Sequence, residues 1–161
     1  MNCSWCKGQI ENKETQDSSK SHGICFDCAQ KLLWRKAQKL NDFVNKFDSP
    51  VILIEESGRV VGANSLALEM LGKTSESIFY QNGGDVFECK WAQLPEGCGN
   101  TIHCKSCTIR NTVMHTLSTG ESCHNVSAYP DLHYLTGTDK VEFIISTILV
   151  NDFVVLHIEK P

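Results

Sequence analysis

Apolar residues between positions 29 and 47 recur at alternating steps of four and three: Leu33, Ala37, Leu40, Val44 and Phe47. That spacing holds them on one side of an amphipathic helix, in a seam of about two heptads. So short a seam serves either to pack on the chain's own domain or to pair two copies of it. Asp48-Ser49-Pro50 closes the helix, because proline drives the preceding residue out of helical geometry. The unbroken run Val51-Ile52-Leu53-Ile54 then predicts a buried strand, Ser57-Gly58 a turn, and positions 59–63 the return strand of a hairpin. Asn64 is placed to cap a short helix carrying Leu66, Leu68, Met70 and Leu71 and stopping at Gly72. After a cysteine-rich stretch at 83–110, positions 111–117 read as a helix that Gly120 ends, and 122–128, 141–150 and 152–159 read as three strands. Strand, strand, helices and three further strands make an α+β chain.

Residues 1–30 lack this periodicity and instead hold two cysteine pairs, Cys3-Ser4-Trp5-Cys6 and Cys25-Phe26-Asp27-Cys28, with eighteen residues between them. The spacing is that of a zinc site with four thiolate ligands, since each CxxC turn presets two soft donors for a tetrahedral ion. Residues 11–21 are polar and read as the loop between two knuckles; His22 is near enough to replace a sulfur, but with four cysteines at hand it reads as exposed. The competing chemistry for a CxxC is disulfide exchange, but no thioredoxin-like βαβ pattern surrounds either pair.

A second set, Cys89, Cys98, Cys104 and Cys107, again ends in a CxxC, but its other spacings are irregular and leave the pairing of ligands to the fold. Four thiolates there would hold zinc as a rigid clip, or an iron–sulfur cluster that would make the domain an oxygen or redox sensor. Free thiols or a regulatory disulfide remain a third reading, with Lys90, Lys105 and Arg110 close enough to lower a thiol pKa. Gly83, Gly84, Gly97 and Gly99 let the backbone bend around an ion or make an ordinary turn. Cys123 and His124 stand outside both sets, on a strand whose alternation points them to opposite faces; Cys123 reads as a buried, inert thiol. His115, alone on a helix, reads as a surface or capping residue rather than a haem ligand, and no CxxCH attachment sequence exists.

With 161 residues, 41% of them hydrophobic, the chain can bury one core and carry a small metal-stapled appendage. No apolar run reaches the roughly 18 residues needed to span a bilayer, and the N-terminus has neither a basic region nor an apolar one. A cytoplasmic protein is expected, and in a reducing compartment its nine cysteines are expected to be metal ligands or redox groups rather than structural disulfides. The formal charge of −4 argues against nonspecific nucleic-acid binding, and Lys31, Arg35, Lys36 and Lys39 read as the solvated face of the first helix. There is no phosphate-binding glycine loop with lysine, no nucleophile elbow and no HExxH, so an enzyme is not expected.

Residues 48–161 resemble a PAS domain. The bearers are Asp48-Ser49-Pro50-Val51-Ile52-Leu53-Ile54, Gly58-Arg59-Val60-Val61-Gly62-Ala63-Asn64, Ala67-Leu68-Glu69-Met70-Leu71-Gly72 and Phe153-Val154-Val155-Leu156-His157-Ile158-Glu159. The stretch Gly84-Asp85-Val86-Phe87-Glu88-Cys89, Gly97-Cys98-Gly99 and His103-Cys104-Lys105-Ser106-Cys107-Thr108-Ile109-Arg110 is similar to a cysteine-bearing PAS subgroup, where it takes the place of the usual helical insert. The N-terminal cysteines resemble a small zinc-ribbon-like module associated with such sensors. The resemblance implies a five-stranded antiparallel sheet with flanking helices around a small cavity, and signalling rather than catalysis. The flavin-reactive Asn-Cys-Arg-Phe motif of light-sensing relatives is absent, which argues against a flavin photosensor. No kinase, cyclase or helix-turn-helix sequence follows, so the signal is expected to leave through the first helix, the knuckle or a partner.

The expected organisation is a four-cysteine zinc knuckle (1–30), an amphipathic connecting helix (31–47) and a PAS-like sensory domain (48–161) with an inserted cysteine cluster (83–110). Its expected role is sensing redox state, oxygen or a small ligand in the PAS cavity. The expected partners are a second copy of the chain and a signalling protein such as a histidine kinase or regulator. The alternatives are a non-catalytic adaptor with two structural zinc sites and a thiol–disulfide protein using Cys104 and Cys107.

Overall fold

The first helix, α1, spans Phe26–Val44 in the computed structural model, which describes residues 3, 6–8 and 25–159. It starts three residues earlier than the apolar spacing suggests and gives way to turns at 45–47, where Pro50 prevents continuation. The polar loop expected at 11–21 and His22 lie outside the described residues. The chain falls into two compact units, Met1–Lys39 and Leu40–Pro161, divided within α1.

In the second unit, β1 (Val51–Ile54), β2 (Val60–Ala63), β3 (Cys123–Ala128), β4 (Phe143–Val150) and β5 (Phe153–Glu159) form one antiparallel sheet in the order β2-β1-β5-β4-β3. This is the five-stranded architecture expected from the resemblance. The β4–β5 ladder is the longest, running from Ile144 opposite Glu159 to Val150 opposite Phe153. The uniform apolar run of β1 has its reason in the packing, since both faces of the strand are covered. Ile52 and Ile54 enter the main core with Leu156, Ile158 and Ile145. Val51 and Leu53 face a second cluster, with Val155, Leu40, Phe43, Val44 and Phe47. The seam of the first helix thus packs, from Leu40 onward, on its own domain. Lys31, Arg35, Lys36 and Lys39 are exposed, as expected of a solvated face.

Helix α2 (Ser65–Leu71) begins at Asn64, whose side chain accepts the Ala67 N–H, and stops at Gly72, which takes the left-handed φ of 63° that ends helices without steric cost. Helix α3 (Ser75–Ile78), closed by a Thr74–Ser77 capping box, and α4 (Gly83–Val86) were not foreseen from the apolar pattern. The stretch 83–110 therefore keeps helical structure: it holds α4, two 3-10 turns at Lys90–Gln93 and Ile102–Ser106, and the start of α5 (Thr108–Thr119). Helix α5 packs Ile109 and Val113 on the sheet and ends at Gly120.

Asn41, Asn45 and Asn64 join the end of α1 to the sheet. Asn41 Oδ1 accepts the Ala63 N–H at 3.2 Å, and Asn45 Oδ1 accepts the Ser65 N–H at 2.8 Å. Buried Asn64 accepts the Val51 N–H at 3.0 Å and donates to the Ser49 carbonyl at 2.6 Å.

Candidate functional site

The first cysteine set is assembled by a tight turn and a helix start. After Cys3, the Lys7 N–H returns to the Cys3 carbonyl at 3.0 Å and the Cys3 N–H reaches the Gly8 carbonyl at 2.8 Å, which folds Cys6 back beside Cys3. Cys25 precedes α1 and Cys28 sits in its first turn. The four sulfurs lie within 4.8 Å of one another, and Cys6 Sγ and Cys25 Sγ are 3.8 Å apart. A tetrahedral ion with sulfur bonds of about 2.3 Å needs sulfur–sulfur edges of about 3.8 Å, so the donor set fits zinc. The Cys25 N–H donates to Cys3 Sγ at 3.3 Å, a support of the kind that orients thiolate ligands. The neighbouring Cys25 thiol, then burial, then Cys6 and Cys3 push the Cys28 thiol up to about 12. Four thiols this close cannot all ionise without a cation among them.

The second set lies in the other unit, around a cavity of about 720 Å³ to whose lining Cys89, Cys98, Cys104 and Cys107 all contribute. Ile54, Phe87, Ile109 and Val113 supply apolar lining, and Arg59, Arg110 and Asp131 supply charge. Backbone pairing holds this wall to the 131–133 segment: the Lys90 N–H donates to the Asp131 carbonyl at 2.9 Å and the His133 N–H to the Glu88 carbonyl at 2.9 Å. Trp91 stacks on His103 with ring centroids 3.4 Å apart and donates its indole N–H to Asp131 Oδ2 at 2.9 Å.

Three of the four sulfurs accept backbone hydrogen bonds. The Gly84 N–H donates to Cys98 Sγ at 3.2 Å, the Gly99 N–H to Cys104 Sγ at 3.1 Å, and the Arg110 N–H to Cys107 Sγ at 3.5 Å. The last bond makes Cys107 the N-cap of α5, which explains why that helix starts at Thr108 instead of 111. Gly84 is required by close approach, since a Cβ there would stand 2.8 Å from Cys98 Sγ. Burial, with the other three sulfurs adding to it, pushes the Cys98 thiol up against the Gly84 N–H; Cys107 is raised by burial and by Cys89 and Cys104. Cys104 goes the other way. Burial raises it, but the Thr101 hydroxyl, 3.2 Å away, the Thr101 and Gly99 N–H groups and the Arg110 guanidinium together bring it below the usual thiol range.

The two sets therefore differ. Among the described residues, the first is gathered as tightly as one ion demands, and the second is brought to one cavity wall without such a group being formed. Trp91 and Asp131 carried no sequence signal, because their roles depend on a contact forty residues apart in the chain, whereas Thr101 acts locally, on Cys104 three residues on. Cys123, expected to be buried, is half-buried near Thr116, because it opens β3 at the edge of the sheet; His124 is exposed, and exposed His115 pairs with Glu121 at 3.3 Å, as expected of a surface residue.

Neither a protein-family model nor a curated protein matches the chain. Solved PAS structures do match. The PAS domain of Bordetella pertussis BvgS is similar over 79% of this chain and 87% of its own, with 10% identity and a TM-score of 0.53. A domain of the sensory box sensor histidine kinase/response regulator from Geobacter sulfurreducens aligns over 80% of this chain and 96% of its own, with 8% identity and a TM-score of 0.51. The LOV protein of Rhodobacter sphaeroides aligns over 78% and 67%, with 16% identity and a TM-score of 0.51. The second unit thus has the PAS fold, and the chain carries a four-cysteine group near its start that can hold a metal ion. Among the described residues no helix is long and apolar enough to cross a membrane.

Proposed function

We propose that this chain is a non-catalytic, cytoplasmic PAS-type sensory module of a signalling pathway, with zinc bound by Cys3, Cys6, Cys25 and Cys28. The observation that carries the reading is the cavity of about 720 Å³ under the PAS sheet, whose wall combines apolar side chains, two arginines and four cysteines. A ligand or a redox change at that wall would act on the 83–110 segment, and through α5 and the sheet on the end of α1, where Asn41, Asn45 and Asn64 tie helix to strand. Similarity to a domain of a sensor histidine kinase/response regulator supports a kinase or regulator as the partner.

The test is hydrogen exchange on the full chain under reducing conditions, after mild oxidation and after metal removal. Altered protection both at 83–119 and at 40–47 is expected. Identical protection in all three states would overturn the sensory reading and favour a static adaptor.

A second reading, thiol–disulfide exchange, is favoured by one observation: Cys107 caps α5 while Cys104, three residues before it, has a thiol below the usual range. Turnover of a dithiol-reducible protein disulfide that Cys104→Ser abolishes would establish it.

A further inference from the structure

The cavity wall presents four sulfurs in an arrangement unlike that of the knuckle. The knuckle sulfurs all lie within 4.8 Å of one another, the crowding that one tetrahedral ion imposes. Cys89, Cys98, Cys104 and Cys107 instead line one shared cavity without closing into such a group among the described residues. A polynuclear cluster spreads its thiolates over its corners, so it needs four sulfurs around a space; a single zinc ion needs them around a point.

The supports of these sulfurs suit the same occupant. Amides of Gly84, Gly99 and Arg110 point at three of the four, and the Thr101 hydroxyl lies 3.2 Å from Cys104 Sγ. Hydrogen bonds to ligating sulfur are among the levers by which a protein orients a cluster and sets its potential. Arg110 places a positive charge beside Cys104, which offsets the negative charge of a thiolate-bound cluster. Gly84 permits its amide to approach Cys98, because a side chain at that position would collide with the sulfur.

We propose that Cys89, Cys98, Cys104 and Cys107 bind an iron–sulfur cluster in the wall of the PAS cavity. This deepens the sensory reading, for which a cluster would be the group that responds to oxygen or to redox change. Cluster uptake is read on the metal and not on signalling, so the two ideas fail separately.

The experiment is reconstitution of the full chain with ferric iron, sulfide and a dithiol reductant in the absence of oxygen, followed by iron, acid-labile sulfide and zinc analysis and a visible spectrum. Iron and sulfide with a visible chromophore, beside one equivalent of zinc, are expected. Cys98→Ser and Cys104→Ser should lose the iron and the colour but keep the zinc, Cys28→Ser should lose the zinc but keep the colour, and Cys123→Ser should keep both. Slow hydrogen exchange in β4 and β5 shows that each variant is folded. A colourless wild-type protein after reconstitution overturns the proposal. So does a second zinc equivalent that Cys104→Ser removes, which would make the set a structural clip, or iron that persists in both Cys98→Ser and Cys104→Ser.

Discussion

Replacing Asn64 by alanine tests the junction through which the PAS sheet is tied to the end of α1. The side chain is buried and makes four hydrogen bonds: Oδ1 accepts the Val51 and Ala67 N–H groups, each at 3.0 Å, and Nδ2 donates to the carbonyls of Ser49 at 2.6 Å and Phe47 at 3.5 Å. Loss of the cap on α2 costs about 1 kcal/mol. The Val51 N–H, at the start of a strand buried on both faces, is left without a partner and costs about 1–3 kcal/mol more. The orphaned carbonyls add less, because a second lone pair is more cheaply left unpaired. Asn64→Ala is therefore expected to destabilise this unit by about 2–4 kcal/mol. Asn64→Asp keeps both acceptor bonds but sets a carboxylate oxygen against the Ser49 carbonyl. Its deficit should shrink as the pH falls and the protonated acid regains a donor. The measurement is native-state hydrogen exchange of the slowest amides in β4 and β5, which reports the opening energy of this unit independently of the knuckle. A cost below about 1 kcal/mol for Asn64→Ala would mean that only the cap matters. An Asn64→Asp variant as stable as wild type at neutral pH would refute the donor's role.

At the knuckle, Cys28→Ser should lose zinc and the order of the Cys3–Gly8 turn, read as one metal equivalent fewer and faster exchange at the Cys3 and Lys7 amides; retention of full zinc would show that the ion is held elsewhere. Gly84→Ala is expected to cost about 1–3 kcal/mol by overpacking, because its Cβ would stand 2.8 Å from Cys98 Sγ and 3.1 Å from Ala92 Cβ. Gly83→Ala, with nothing within 4 Å, should stay within about 0.5 kcal/mol, and equal costs at the two positions would contradict the packing argument. His157, packed edge-on against Phe47 and 3.1 Å from Ser49 Oγ, has its pKa lowered by burial, with Glu159 opposing. The fold thus favours the neutral ring. Its contribution is full above the unfolded value of about 6.5 and is lost as the pH falls below that value towards the lower folded pKa. His157→Gln should flatten the stability profile between about pH 7 and 5, and an unchanged slope would assign the dependence to other groups.

Local rules made much of this protein legible in its sequence. Asn64 and Gly72 bound α2 because a cap needs only its own turn, and β1, β2 and β5 showed as apolar runs because they are buried along most of their length. The knuckle was legible for the same reason: a CxxC turn presets two sulfurs by itself, and two such pairs complete a four-sulfur group that can hold a metal ion. Other features were decided between distant segments. The two-sided burial of β1 depends on Leu40, Val44 and Phe47 folding back over the sheet, which the heptad spacing left balanced against pairing with a second chain. The start of α5 moved to Thr108 because the Cys107 sulfur caps it, and no periodicity marks a thiol as a cap. The irregular spacing of Cys89, Cys98 and Cys104 named the residues of the second set but not their arrangement. That arrangement follows from amides at Gly84, Gly99 and Arg110 and from the pairing of 88–90 with 131–133, contacts that exist only once the sheet has brought those segments together.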